Sequence, residues 1–373
     1  MSDLGIGIIG CGNISAAYLK LAPLFKGIEM RSVADMNPAA AEARAKEFGL
    51  RAETVGGLLA ASDIDIIVNL TIPDAHFAVT KSIVAAGKHA YSEKPLVLSV
   101  DEGKELAALA KANGVQVGCA PDTFLGGAHQ QVRQLVDDGA IGQITSGTCH
   151  VLSPGMEMWH PNPDFFFLPG GGPILDLGPY YIAALINLIG PIKRVGAITS
   201  SAQAERTITS QPRAGEKIPV KTPTTINALM EFDNGANITL SASWDVLAHQ
   251  HSNIELYGTE GSLFVPDPNF FGGDIKMAGK DREIKPVAGW SHPFSVPNQN
   301  EGRANYRTAG LADMAMAIQE GRDARCAMAR ALHGVDAMVS ILKSGETGQF
   351  VTLTTTCTRP EALNAEAAKA LLR

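Results

Sequence analysis

The sequence predicts an α/β protein of two domains: a doubly wound parallel sheet over residues 1–121, then an α/β domain over residues 122–373 with a large, open, mostly antiparallel sheet. Three observations carry this. The chain has 373 residues, more than one hydrophobic core usually organises. Up to about residue 120, short apolar runs alternate with helical stretches, the pattern of parallel strands joined by crossover helices. Past Pro121, hairpin signals replace that alternation.

The strand-like runs of the first domain are LGIGIIG, IEMRSVAD, IDIIVNL, KHAYSE and GVQVGCA. Runs apolar throughout suit strands covered on both faces. Between them NISAAYLKLAPLF, PAAAEARAKEFG, DAHFAVTKSIVAAG and DEGKELAALAKANG place apolar residues at helical spacing. The second domain opens with a helix (QVRQLVDDGAIG) and a strand (ITSGTCHVL), then runs through WHPNPDFFFLPGGGPILDLGPYYIAALINLIG, rich in aromatics and glycine. VGAITS, TTINALMEF, GANITLSASWDV and NIELYGTEGSLFVP follow as strands, with tight turns at Asp233-Asn234-Gly235 and Glu260-Gly261. Two helices, about 307–320 and 327–343, close the fold.

Hydrophobic residues at 45% and charged ones at 18% support a folded core rather than disorder. The net charge of −7 and the absence of a basic run argue against nucleic acid and against an anionic membrane surface as partners. No apolar stretch has membrane-spanning length, and no charged segment followed by an apolar one precedes Gly10. Cys11, Cys119, Cys149, Cys326 and Cys357 are odd in number and scattered, without a CxxC pair, and read as reduced, mostly buried thiols. A cytoplasmic location is expected.

The first apolar run breaks into Gly10-Cys11-Gly12-Asn13-Ile14-Ser15 and then turns helical, where a dinucleotide fingerprint sits. Gly10 serves the tight turn, and Gly12 lets the backbone approach a pyrophosphate on the helix N-terminus. Ser15 replaces the third glycine and is small enough for close helix-to-strand packing. Asp35 ends the second run near the spacing of a ribose-binding carboxylate, a role compatible with capping the helix that begins near Pro38. Together these predict a Rossmann dinucleotide-binding domain. Asp35 repels a 2′-phosphate, and Met36 and Asn37 bring no arginine to receive one, so NAD is expected rather than NADP. At the end of the KHAYSE run, YSEKPLVLS puts Lys94 at the carboxyl edge of the sheet, where such folds bind ligands. Pro95 keeps Lys94 out of helical geometry. A solvated loop lysine is the plain alternative.

Gly10-Cys11-Gly12, Asp35, Glu93-Lys94-Pro95 and GGGPILDLGPYY resemble, in order and spacing and across the whole chain, the Gfo/Idh/MocA oxidoreductases, the glucose-fructose oxidoreductase and inositol dehydrogenase family. The resemblance implies that Lys94 touches a reacting carbinol oxygen. It implies cofactor contacts from Gly10, Gly12, Asn13, Ile14, Asp35, Met36, Thr71, Pro73, His76, Glu93, Lys94 and Trp159. In its C-terminal domain the family carries D-x-G-x-H on one helix; this sequence has Asp176 and Gly178, but Tyr180 where the histidine stands.

Asp176 and Tyr180, at i and i+4, are expected on one helical face. A free tyrosine, pKa near 10, is only about 0.1% phenolate at pH 7, so a base there needs about 4 kcal/mol of help, part of which a Lys94 ammonium supplies. As an acid it needs none; alternatively Tyr180 only packs, its hydroxyl satisfied. His160 in EMWHPNPD is the rival base, with an unperturbed pKa near 6.5, and Trp159 and His160 are expected at the pocket; a surface histidine is the alternative. Asp122 in CAPDTFLGG is a further substrate-binding candidate, or an Asx turn or helix cap. His249 and His251 share a strand face without a third ligand at suitable spacing, so no metal site is expected. Arg206 and Arg213 lie among hydroxyls and either hold an anion or belong to a solvated surface or subunit contact.

The expected reaction is reversible hydride transfer between NAD and a secondary alcohol of a sugar, glycoside or polyol: Lys94 polarises the oxygen, Tyr180 or His160 moves the proton, and Asp176 orients the hydroxyls. Two other classes stay open. One is a redox-neutral, NAD-dependent glycosidase working by transient oxidation, elimination, hydration and re-reduction. The other is an NAD(H) sensor without chemistry, disfavoured by the retention of Lys94 and Asp176. The expected partners are a small carbohydrate and further copies of the chain, since the uncovered face of the second sheet predicts a homodimer or homotetramer.

Overall fold

The computed structural model describes residues 3–299 and 302–373. The chain forms two compact units: residues 1–127, 291–332 and 360–373 make the first, residues 128–290 and 333–359 the second. The first begins with β1 (Leu4–Ile9), α1 (Asn13–Leu21), β2 (Ile28–Ala34), α2 (Pro38–Phe48), β3 (Arg51–Glu53), α3 (Val55–Ala60), β4 (Ile66–Asn69), α4 (Pro73–Ala85), β5 (His89–Ser92), α5 (Val100–Asn113) and β6 (Val117–Cys119). The sheet order is β3-β2-β1-β4-β5-β6, with every neighbouring pair parallel. Ile6, Ile8, Ile66, Ile67 and Val68 are fully buried, because helices cover both faces. Each such side chain contributes about 1.5–3 kcal/mol through burial. The runs announced every strand but β3, whose Arg51 and Ala52 are exposed and leave no apolar signal.

In the second unit follow α6 (Gly127–Asp137), β7 (Ile144–Leu152), the short α7 (Pro173–Asp176), α8 (Gly178–Leu188), β8 (Ile192–Ser200), β9 (Glu205–Thr207), β10 (Lys217–Pro219), β11 (Thr225–Phe232), β12 (Asn237–Ser243), β13 (Ile254–Gly258), β14 (Ser262–Val265), β15 (Lys276–Ala278) and β16 (Lys285–Pro286). Then come α9 (Ala309–Glu320), α10 (Met328–Thr347), β17 (Val351–Thr352) and α11 (Ala365–Leu371). The large sheet runs β16-β15-β14-β13-β7-β12-β11-β8-β17, antiparallel throughout except for β7 with β12. Strands alternate as a sheet with one wet face must: on β11, Ile226, Ala228, Met230 and Phe232 are buried while Leu229 is 52% exposed. The β11–β12 turn uses Gly235 at φ +89°, as its Asp-Asn-Gly sequence anticipates.

The division by contacts departs from the single boundary at residue 121. Residues 291–332, with α9, and 360–373, with α11, pack into the first unit. Asp122 supplies a physical reason, since its carboxylate accepts the N–H groups of Thr308 and Gly310 at the start of α9 (3.0 and 3.1 Å). Such a contact, 186 residues apart, leaves no periodic trace in sequence. No helix among the described residues is long and apolar enough to cross a membrane.

Asp313 on α9 has no exposed surface; it accepts the Arg325 N–H (2.6 Å) and faces the guanidinium groups of Arg325 and Arg322. Asp313→Ala removes the buried carboxylate shared by the two cations and should lower unfolding free energy by about 3–5 kcal/mol, read from urea denaturation.

Candidate functional site

At the end of β1, Gly10 adopts φ +103°, and a Cβ there would lie 2.6 Å from the Leu70 carbonyl oxygen, so only glycine fits. Gly12 precedes α1 in extended conformation (φ −67°, ψ −170°), and nothing stands within 4 Å of where its Cβ would be. The first N–H groups of α1, beginning at the exposed Asn13 and half-buried Ile14, therefore open onto a clear cradle, which fits a pyrophosphate. Ser15 is buried, and its hydroxyl donates to the Gly12 carbonyl (2.6 Å), binding loop to helix. Asp35 accepts the Cys11 N–H (2.7 Å) and the Asn37 N–H (2.8 Å) beside the exposed Met36. Asn37, not Asp35, caps α2. A cavity of about 380 Å³ opens beside Asp35, Met36, Pro38 and Thr54.

The loops after β4 and β5 share this edge. Asn69 is buried and orders the first of them, accepting the N–H and hydroxyl of Thr71 (3.2 and 2.7 Å). Pro73 takes the first position of α4, where a missing N–H costs nothing. His76 is buried, with Nδ1 2.6 Å from the Pro95 carbonyl and Nε2 3.0 Å from that of Thr71, so it bridges the two loops from within. Lys94 follows β5 and enters a cis bond to Pro95. Glu93 is buried: one oxygen accepts the Tyr18 hydroxyl (2.9 Å), the other the Lys94 N–H (3.0 Å). Burial, and then Glu93, hold the Tyr18 phenol well above its ordinary pKa, so it serves as a donor. Asp122 is equally buried and spends one oxygen on capping α9, the second of the readings left open for it. Burial raises its pKa against the pull of Arg307 and the two N–H groups.

In the second unit, Asp176 ends α7 and Tyr180 lies in the first turn of α8. One continuous helix was expected; the ladder breaks at Leu177 because Pro179 has no N–H, and the Tyr180 N–H reaches back only three residues, to Leu177 (3.1 Å). Tyr180 is buried and Asp176 half-buried. Trp159 is 65% exposed, and the His160 ring meets Trp159, Phe165 and Phe166 edge-on at 5.4, 5.5 and 5.2 Å. The Asn162 N–H donates to His160 Nδ1 (3.1 Å), which places the proton of the neutral ring on Nε2.

Arg206 faces Glu157 (3.1 Å) and Asp245; Arg213 pairs with Asp164 and Glu216. Each arginine is matched by two carboxylates, so neither is set for an anion; they brace the segment that carries Trp159 and His160. His249 and His251 lie in the loop after β12 rather than on a strand, stacked with His150 at centroid distances of 6.2 Å (His249 to His251) and 4.1 Å (His150 to His251). Among the described residues no group of three or more His, Cys, Asp or Glu is placed to hold a metal ion.

Residues 4–120 match the oxidoreductase family with an NAD-binding Rossmann fold, and residues 129–264 match the GFO/IDH/MocA C-terminal domain. This chain belongs to the Gfo/Idh/MocA oxidoreductase family. It is 28% identical over 294 residues to levoglucosan dehydrogenase from Pseudarthrobacter phenanthrenivorans, covering 70% of this chain and 73% of that protein. It is 23% identical over 317 residues to inositol 2-dehydrogenase from Rhizobium meliloti, covering 85% and 89%. The fold superposes on the apo form of levoglucosan dehydrogenase with a TM-score of 0.82 over 96% of this chain and all of that one, at 24% identity.

As a Gfo/Idh/MocA oxidoreductase the chain uses NAD, and the first unit is its NAD-binding Rossmann domain. Sequence reasoning about the nucleotide missed Arg44. The residues beside Asp35 bring no arginine, but α2 carries Arg44 back to the glycine loop, with Nη2 3.2 Å from the Gly12 carbonyl. Tyr18 and Arg307 were missed as well, because their partners are distant in sequence. The two glycines separate folding from binding. Gly12→Ala should leave the thermal midpoint nearly unchanged yet weaken NAD at least tenfold, about 1.4 kcal/mol by fluorescence titration. Gly10→Ala should instead lower the melting temperature or abolish folding.

Proposed function

We propose that this chain transfers a hydride between NAD and a secondary alcohol carbon of a sugar, glycoside or polyol. One observation carries the reading: the open glycine cradle with Asp35 and the Glu93-Lys94-Pro95 turn stand at the carboxyl edge of one parallel sheet, so a nucleotide site and an ammonium group belong to the same edge. In the oxidising direction the alcohol carbon gives up a hydride and its oxygen a proton, leaving a ketone. NAD, held by the glycine cradle and Asp35, would supply the hydride acceptor. The Lys94 ammonium donates a hydrogen bond to the alcohol oxygen and favours its deprotonation. Tyr180 or His160 receives the proton, and Asp176 accepts hydrogen bonds from neighbouring hydroxyls.

The dehydrogenases named above support this reading over the glycosidase. A panel of sugars, polyols and aryl glycosides, with NADH and released aglycone followed together, tests both. Stoichiometric NADH without bond cleavage is the expected result; aglycone released over many turnovers without net NADH overturns it. Scattered cysteines without a CxxC pair, with Cys11, Cys119, Cys149 and Cys326 buried, support a reducing, cytoplasmic setting.

Tyr180→Phe keeps the ring but removes the hydroxyl, and should lower kcat by about 10² or more with little change in KM. An effect under about threefold at all pH values would assign Tyr180 to packing.

A homodimer or homotetramer through the open face of the large sheet completes the proposal. Ile198, Leu229 and Phe350 are exposed there around a cavity of about 500 Å³. Light scattering at micromolar concentration should give a multimeric mass, and Leu229→Glu should shift it toward the monomer.

A further inference from the structure

Thr308 holds φ +94°, a left-handed backbone that a β-branched residue rarely adopts, immediately before α9. Contacts internal to the first unit hold it there. Asp122 accepts its N–H (3.0 Å) and that of Gly310 (3.1 Å), and its hydroxyl donates to the Tyr18 carbonyl (3.4 Å). Gly310 is obligatory, since a Cβ there would meet the Tyr91 hydroxyl oxygen at 2.3 Å. Strained backbone fixed from several sides marks a place where a side chain has to be delivered accurately. The side chain delivered is that of Arg307. Its guanidinium stands 3.6 Å from the Glu93 oxygen that also accepts the Tyr18 hydroxyl, while the other Glu93 oxygen takes the Lys94 N–H.

We infer that Arg307 is a positioning residue for Lys94, acting through the Glu93 carboxylate. Glu93 is buried, and a buried carboxylate keeps its charge and orientation only with a matching cation and donors. Tyr18 and Arg307 supply those on one oxygen. The opposite oxygen is then held against the Lys94 N–H, and the lysine leaves the sheet edge at a fixed angle. The strained turn thus couples the start of α9 to the sheet-edge lysine. The inference rests on Lys94 taking part in the reaction, as proposed above.

The test uses the full chain with NAD and the sugar turned over in the panel described above, and compares Lys94→Met, Arg307→Met, Arg307→Lys, Glu93→Gln and the double variant Glu93→Gln/Arg307→Met. Lys94→Met should lose about 10² or more in kcat; if it retains wild-type kcat, the role of Lys94 itself fails, and the inference with it. Given that loss, Arg307→Met should lower kcat about tenfold or more, with KM and the NAD dissociation constant within about threefold, and Arg307→Lys should recover most of it. The double variant should be no slower than Glu93→Gln alone, because the two act in series. The inference is overturned if Arg307→Met keeps kcat within about threefold of wild type, if the losses multiply in the double variant, or if kcat falls only in proportion to the folded fraction measured by thermal melt.

Discussion

Six parallel strands can be joined only by crossovers that return the chain to the opposite edge before the next strand begins. That constraint organises the nucleotide half of this molecule. It brings the loops after β1, β2, β4 and β5 to one edge, although Gly10 and Lys94 are far apart in sequence. Each loop then solves a local problem. Gly10 admits the Leu70 carbonyl, Asp35 takes an N–H of the glycine loop, and Thr71 and Pro95 each offer a carbonyl to one His76 ring. The edge is tied by hydrogen bonds between loops, and the cradle at Gly12 is the part left open.

Within each unit the protein buries carboxylates and surrounds them with donors. Glu93, Asp122 and Asp313 in the first unit, and Asp336 in the second, are each nearly or fully buried. Asp336 shows the pattern: it accepts the N–H groups of Thr354 and Thr355 at 2.8 and 2.9 Å, fastening the segment after β17 to α10. Hydrogen bonds to a charged group contribute about 1.5–3 kcal/mol each, whereas an unpartnered buried charge costs more than that, so these groups are all-or-nothing clasps. Asp122 acts on the start of α9, which helps explain why that helix belongs with the Rossmann sheet, while Asp313 ties α9 to Arg322 and Arg325 in the segment that follows it.

What the sequence made legible was what repeats or what is local. Strand runs, helix periodicity, the glycine loop and Asp35 lie within short windows, and so does the Glu-Lys-Pro turn. The Asp-Asn-Gly hairpin is likewise set by its own φ angles. The chemistry that escaped is non-local. Nothing near Asp122 distinguishes a cap for residues 308–310 from a group facing a ligand, and nothing near Arg206 reveals Glu157 and Asp245. The break between α7 and α8 was legible in principle, since Pro179 cannot donate to Leu175. The i, i+4 spacing of Asp176 and Tyr180 masked it.

The substitution of Tyr180 for the family's histidine gains a physical context from His160. With Nδ1 accepting the Asn162 N–H, the neutral His160 ring presents Nε2–H, a donor, and becomes an acceptor only if that backbone contact is released. A phenol hydroxyl has no such restriction, since the same oxygen accepts one proton while donating another. It can pass a proton onward without ionising, provided an acceptor stands beyond it. On the proposed reaction, this favours Tyr180 as the group that moves the proton in both directions. His160, fixed among Trp159, Phe165 and Phe166, is then suited to donating a hydrogen bond to a substrate oxygen. The same division explains why the two residues need not duplicate each other: a relay requires a group free to do both, and a binding contact requires one held to a single role.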